Sequence, residues 1–259
     1  MTRLRVGDLE VSYRERGQGE PVVFIHGNWT TSLWWQPVME LLPPGLRAIA
    51  YDLRGRGNTR GPDQPQAMPT LAQDLRGLLD ALGLLRAHVV GHSLGSAVAM
   101  QLALEHPERV HTLTLMAPAW VDGMPAAHNV PEHQLAAQDN RALYAAALRS
   151  MAPTAPDDAL WQRLVEEGHQ QRREVTLATL QALVDWAPGE RLTALRSIPS
   201  VVVSGEKDML CTVESGQRCA NLIGARQHVM KGLGHSPNLK APRDFVELWQ
   251  QTHLDAPAA

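Results

Sequence analysis

Cysteine is nearly absent from this 259-residue chain. Cys211 and Cys219 are too few for a disulfide framework, and their spacing fits no metal motif. Cationic runs are missing as well. The net charge is −3 and Lys and Arg are scattered, so nucleic acid and anionic membrane surfaces are not expected partners. No stretch reaches the roughly 18 apolar residues of a membrane span. The opening MTRLRVGDLEVSYRERG alternates like a strand and lacks the apolar core of a signal peptide. Neither repeats nor low-complexity tracts occur. Together these absences predict a reduced, cytoplasmic setting.

What is present is a composition 44% apolar and 20% charged, enough for a sizeable core in one α/β unit with an insertion. Short apolar or β-branched runs read as strands at about 10–16, 21–25, 46–51, 87–91, 110–116, 200–204 and 226–230. Several are apolar throughout, as strands covered on both faces of a parallel sheet are. Helical spacing predicts helices over 33–42, 70–83 with Thr70 as N-cap, 94–106, 212–222 and 240–252. The alternation predicts a mostly parallel, doubly wound α/β sheet with right-handed crossovers. From Pro118 to Pro199 the rhythm breaks, and pieces at 131–151, 157–171 and 174–186 carry Leu, Ala and Trp at helix spacing. The expected division is a core of 1–117 and 199–259 with an inserted helical cap at 118–198; extra sheet-packing helices are the alternative. The tail DAPAA is expected to fray.

The run HVVGHSLGSAVAM passes from strand to helix through Gly91-His92-Ser93-Leu94-Gly95. This is G-x-S-x-G in the strand–turn–helix context that the motif requires. The turn is so tight that neighbouring side chains must be absent, and Gly91 and Gly95 meet that need. Ser93 is therefore the candidate nucleophile, raised at a helix N-terminus whose dipole favours developing negative charge. A serine N-cap without chemistry is the plain alternative.

With GHSLG stand an HG after an early strand, YDLRGRGNT at 51–59, SGEKD at 204–208 and GLGHSPNLKAP at 232–242. In this set and order the chain resembles the α/β-hydrolase-fold family over essentially its whole length. The resemblance implies a serine nucleophile, then an acid, then a histidine along the chain. His235, in the Gly-rich loop after strand 226–230, is the candidate base; His228 inside that strand and His253 in the last helix are poorer placed. Asp208 matches the turn where the family carries its acid, with Glu206 and Asp122 as alternatives. The resemblance also implies an oxyanion hole from the backbone amides of Asn28 and Leu94, with His26 bracing the loop. His-Gly-Asn resembles haloalkane dehalogenases too, but those use an aspartate followed by Trp where this chain has Ser93-Leu94. DLRGRGNT is expected to shape a loop, tied by Asp52 and Arg54 and turned at Gly55 and Gly57.

An apolar substrate pocket is expected from Trp29, Trp35, Trp120, Met124, Met151 and Trp186, with Trp161 a further cap aromatic. Trp34 and Trp35 point about 100° apart, so one of the pair is expected to be core. The leading expectation is a serine hydrolase of carboxylic esters or lactones, with a small-molecule substrate and without metal or cofactor. Alternatives are C–C bond hydrolysis, although the usual H-G-x-G-P-G loop is absent, and a hydroxynitrile-type lyase, although Ser236 rather than Lys follows His235. A ligand receptor with a residual triad is a further alternative.

Overall fold

The computed structural model describes residues 1–62, 65–153 and 155–253. Eight strands form one sheet: β1 (Thr2–Val6), β2 (Leu9–Gly17), β3 (Glu20–Ile25), β4 (Leu46–Tyr51), β5 (Ala87–His92), β6 (Val110–Met116), β7 (Ser200–Gly205) and β8 (Arg226–Met230). Their order is β1-β2-β4-β3-β5-β6-β7-β8. β2 runs antiparallel to β1 and β4, and the remaining neighbours are parallel.

The helices are α1 (Gln36–Met39), α2 (Met68–Ala81), α3 (Leu94–Glu105), α4 (Pro131–Asp139), α5 (Arg141–Met151), α6 (Ala159–His169), α7 (Arg173–Asp185), α8 (Val213–Ile223), α9 (Pro237–Lys240) and α10 (Pro242–His253). Period-two alternation explains how they share the sheet. Val23 and Ile25 of β3 join a core with α2, α3 and α8, while Val22 and Phe24 join a second core with α1 and α10. None of the helices among the described residues is long and apolar enough to cross a membrane.

Several elements differ from the sequence reading: β1 lies outside the seven expected strand runs, and the helix expected over 240–252 is α9 and α10, parted at Ala241. Helix α2 starts at Met68 with Ala67 at its N-cap, leaving Thr70 inside the helix. Pro69 in the first turn pre-sets the helical φ, so the helix begins before the threonine. The segment expected as one helix at 33–42 is a 3₁₀ turn, Ser32–Trp35, capped by Thr31 and followed by α1. The stretch 131–151 is two helices, because the Asn140 Oδ1 accepts from the amides of Ala142 (2.9 Å) and Leu143 (3.2 Å) and starts α5 afresh. The DAPAA tail lies outside the described residues.

Between β6 and β7 the described residues form helices and no strand. Tyr144, Leu148, Trp161, Leu164 and Val165 of α5 and α6 build an apolar cluster of their own, closed below by Leu33, Trp34 and Leu239. The end of α7 behaves differently, for Ala182, Leu183 and Trp186 belong to the sheet's core. Polar contacts fasten these helices to the sheet. Arg14 pairs with Glu167 at 3.3 Å, Thr31 Oγ1 donates to Glu167 at 2.9 Å, and Trp186 Nε1 donates to Gln101 at 3.0 Å. The buried Arg56 donates to Thr179 Oγ1 at 2.5 Å and to Gln66 at 2.8 Å. Burial holds its guanidinium down at about 9.

Candidate active site

Ser93 sits between β5 and α3 at φ 52°, ψ −119°, a left-handed conformation uncommon for a residue with a Cβ. Such strain persists where surroundings enforce it, and here two glycines do. A Cβ on Gly91 would collide with the backbone of Gly95 and Ser96, and one on Gly95 with the carbonyls of Ile25 and His26. The turn thus fits between β3 and α3 only without those side chains. Leu94 is the first residue of α3, so its amide is among those with no acceptor inside the helix.

His235 Nδ1 lies 2.8 Å from Asp208 Oδ2, and both residues are buried. The other Asp208 oxygen accepts from the amides of Leu210 (2.9 Å) and Cys211 (3.0 Å). The carboxylate is thereby fixed in orientation, and it can hold the imidazole with its Nδ1 protonated and Nε2 free. Neither alternative acid pairs with His235. Asp122 is exposed and accepts from Nε and Nη2 of Arg218 at 3.0 and 3.2 Å, and Glu206 accepts from the Gly232 amide at 2.7 Å. His228 is exposed on β8, and His253 bonds Thr114 Oγ1 at 2.8 Å.

The histidine before the serine has its own task. His92 Nε2 lies 2.9 Å from the His235 carbonyl. A carbonyl only accepts, so Nε2 carries the proton and braces the loop that bears His235. Burial pushes this imidazole well below its ordinary pKa, so it stays neutral. Trp34 stacks on His92 with centroids 5.9 Å apart.

In the HGNW loop, His26 Nε2 accepts from the Leu53 amide at 3.1 Å, which assigns the proton to Nδ1 and a 2.8 Å bond to the Gly27 carbonyl. Burial lowers its pKa to about 3. Asp52 holds the neighbouring turns by accepting from the amides of Ser32 (2.8 Å) and Asn58 (2.9 Å), while Arg54 pairs with Asp74 rather than Asp52. Trp29 has φ 63°, and its carbonyl accepts from the Tyr144 hydroxyl of α5. A Cβ on Gly168 of α6 would strike both partners of that bond. Trp29 Nε1 donates to Gln134 at 3.2 Å.

Ser93 and His235 line a cavity of about 180 Å³ together with Asn28, Trp29, Trp120, Met124 and Met151. Asn28 Oδ1 is buried without a hydrogen-bond partner. Two residues expected in the pocket lie elsewhere. Trp35 packs in the core against Phe24 (centroids 5.0 Å apart) and Phe245 (5.9 Å). Its neighbour Trp34 lines the cavity instead, since adjacent residues of a helical turn point apart. Trp186 is drawn into the sheet's core by its bond to Gln101, and Trp161 lies in the α5–α6 cluster beneath the Arg149 guanidinium. The sequence reading missed His92, Gln134, His128, Leu180 and Leu183 in the lining. Of these, His92 had a signal, its place beside the nucleophile; His128 reaches the cavity by stacking on Trp120 at 5.1 Å. Beyond His235 a second cavity of about 480 Å³ is lined by Trp29, Met151, Asp208 and Met209.

Asp208, Cys211 and His235 also bring three potential ligand atoms within 4.8 Å of one another. Burial and the Asp208 charge push the Cys211 thiol well up, so it stays protonated, and the Asp208 oxygens are already taken. This donor set suits the imidazole–carboxylate pair better than a metal.

Residues 22–248 match the model of the Alpha/beta hydrolase family, and the chain belongs to it. A 2-hydroxy-6-oxo-6-phenylhexa-2,4-dienoate hydrolase from Comamonas testosteroni is 28% identical, over 94% of this chain and 91% of the relative. Among solved structures, a hydrolase from Pseudomonas aeruginosa PA01 superposes with a TM-score of 0.84 at 25% identity, covering 97% of each chain. Est816, an N-acyl homoserine lactone degrading enzyme, superposes with a TM-score of 0.77 at 27% identity, covering 96% of this chain and 99% of that one. The Comamonas and Pseudomonas relatives are both hydrolases by name.

Proposed function

We propose that this member of the alpha/beta hydrolase family is a serine hydrolase of neutral, apolar carboxylic esters or lactones. The observation that carries the reading is the 2.8 Å His235–Asp208 pair beside a cavity that Ser93 lines. Ser93 Oγ attacks the carbonyl carbon while His235 Nε2 takes its proton, and Asp208 stabilises the imidazolium. The amides of Asn28 and Leu94 meet the oxyanion, each worth about 3–4 kcal/mol in the transition state. His235 then protonates the departing alcohol, and water, activated by the same imidazole, clears the acyl-enzyme. The reaction calls for neither metal nor cofactor. Segment 118–198 serves as the cap over this chemistry, and Trp29, Trp34, Trp120, Met124 and Met151 form the apolar wall.

The C–C bond reading is favoured by the Comamonas relative, whose substrate is a dienoate. Against it, no Lys or Arg among the described residues lines the cavity that holds Ser93, the adjoining cavity supplying only Lys207, so the Ser93 cavity offers a carboxylate no guanidinium or ammonium partner. Chromogenic esters of rising acyl length, aromatic esters, lactones and a phenyl-substituted oxo-dienoate test both readings in one panel. Long or aromatic acyl groups are expected to exceed acetate, with turnover falling about 10⁴-fold or more in Ser93→Ala. Ester turnover that survives Ser93→Ala sinks the serine mechanism. A kcat/KM for the dienoate above that of every ester selects the C–C reading.

A further inference from the structure

Three adjacent strands begin with residues able to ligate a metal. Glu20 opens β3, His88 is second in β5 and His111 second in β6. This edge of the sheet is opposite the one that carries Ser93, which follows the far end of β5. The pairing of β5 with β6 slips here: Ala87 faces Val110 but His88 faces Thr112, leaving His111 as the extra residue of a bulge. A bulge re-aims a side chain, and the His88 and His111 rings meet edge to face with centroids 4.7 Å apart.

Glu20 Oε1 lies 3.2 Å from His88 Nε2 and 3.5 Å from His111 Nε2, and one ligand atom from each residue falls within 4.8 Å of the others. Tetrahedral coordination at metal–nitrogen distances of about 2.0–2.1 Å places ligand atoms roughly 3.3 Å apart. Two of the three separations already match. His88 is 1% exposed, and its Nδ1 is held by Thr112 Oγ1 at 2.8 Å, while Nε2 points towards the Glu20 carboxylate without a well-aligned hydrogen bond. Securing one ring nitrogen while presenting the other is how proteins orient a metal-binding imidazole. Trp249 and His253 of α10 close the inner side of the cluster, with His88 centroid distances of 5.2 and 6.3 Å. Arg86 is a cation close enough to act on His88, and Glu20 offsets it. Glu20 and His111 are 48% and 34% exposed at the side chain, which gives an ion a path in and room for water as a further ligand.

We propose that Glu20, His88 and His111 form a site for a divalent first-row transition metal of the zinc type, which ties together the leading ends of β3, β5 and β6. Two imidazoles and one carboxylate suit such ions and not the all-oxygen preference of Mg²⁺ or Ca²⁺. The test titrates tag-free, chelator-treated full-length protein with Zn²⁺ by calorimetry and follows thermal unfolding with and without the ion. One Zn²⁺ per chain and a raised Tm are expected. Glu20→Gln and His111→Ala are expected to weaken binding by about tenfold or more; the half-exposed Glu20→Gln leaves the metal-free Tm unchanged, whereas His111→Ala, which loses the ring contact to His88, lowers it slightly. Absence of saturable binding overturns the proposal. So does an isotherm unaltered in the Glu20→Gln/His111→Ala double variant, which assigns the ion to other ligands such as Asp208, Cys211 and His235.

Discussion

Through the middle of β3, β5 and β6 the chain is largely apolar, and helices on either side of the sheet bury those residues in two extensive cores. Over the end that bears Ser93, α5 and α6 share a small apolar cluster with only Leu33, Trp34 and Leu239 as buried residues from below and are otherwise held by individual polar contacts. The first arrangement is redundant, since many side chains share the burial. The second depends on a few named bonds, so damage there is expected to disturb the site before it disturbs the fold. Four experiments press on this difference.

The largest effect is expected at Gly95. Gly95→Ala drives a methyl into the Ile25 and His26 carbonyls, which belong to rigid strand and loop backbone. A loss above about 4 kcal/mol is expected, read as failure to recover soluble protein. Next, Leu148→Ala empties the middle of the α5–α6 cluster, where the side chain is fully buried. It is expected to cost about 2–5 kcal/mol locally, with KM raised and far-UV circular dichroism little changed. If the sheet unfolds along with it in a single early transition, the two regions are one cooperative unit and the contrast fails.

Acid is expected to act through His26 in the loop that joins β3 to the site, whose pKa burial lowers from 6.5 to about 3. Between those values the unfolded chain binds a proton that the native state refuses, so stability falls as pH drops from 6.5 towards 3. At pH 5 the loss from this one group is about 2 kcal/mol, and the equally buried His92 acts in the same direction. Urea unfolding at pH 7 and pH 5 measures it; equal midpoints would refute the assignment. The smallest effect is expected from Tyr144→Phe, which keeps the ring against Trp29 but removes the hydroxyl bond to the Trp29 carbonyl. About 1 kcal/mol is expected, appearing in kcat more than in Tm because the bond positions the loop that carries Asn28.

The same contrast governs what could be read from the sequence. Parallel strands buried on both faces are continuous apolar runs, so PVVFI, AHVVG and SVVVS marked themselves, and the two glycines around Ser93 marked the turn. Asp208 and His235 came from the resemblance to the α/β-hydrolase fold, which expects an acid and then a histidine after the late strands. The covering helices gave no such pattern. Nothing in QDNRA announced that Asn140 would end one helix and cap another. Trp34 and Trp35 exchanged roles because the chain enters a 3₁₀ turn before α1, which sets the azimuth of each ring. Trp186 left the expected pocket because one hydrogen-bond partner, Gln101, waits on α3. Strand interiors are decided by local composition, whereas these positions are decided by long-range partners.

The bond from Tyr144 to the Trp29 carbonyl bears on how such proteins diversify. Trp29 turns its carbonyl upward through a positive φ, and Gly168 leaves the space in which the tyrosine hydroxyl meets it. The α4–α7 segment of a relative, transplanted here, would therefore not be a free module. Unless a tyrosine and a glycine arrive at equivalent places, the graft leaves the Trp29 carbonyl without its partner beside the cavity. New substrate ranges on this scaffold should accordingly arise by changes within α4–α7 that spare those two positions, more often than by wholesale exchange of the segment.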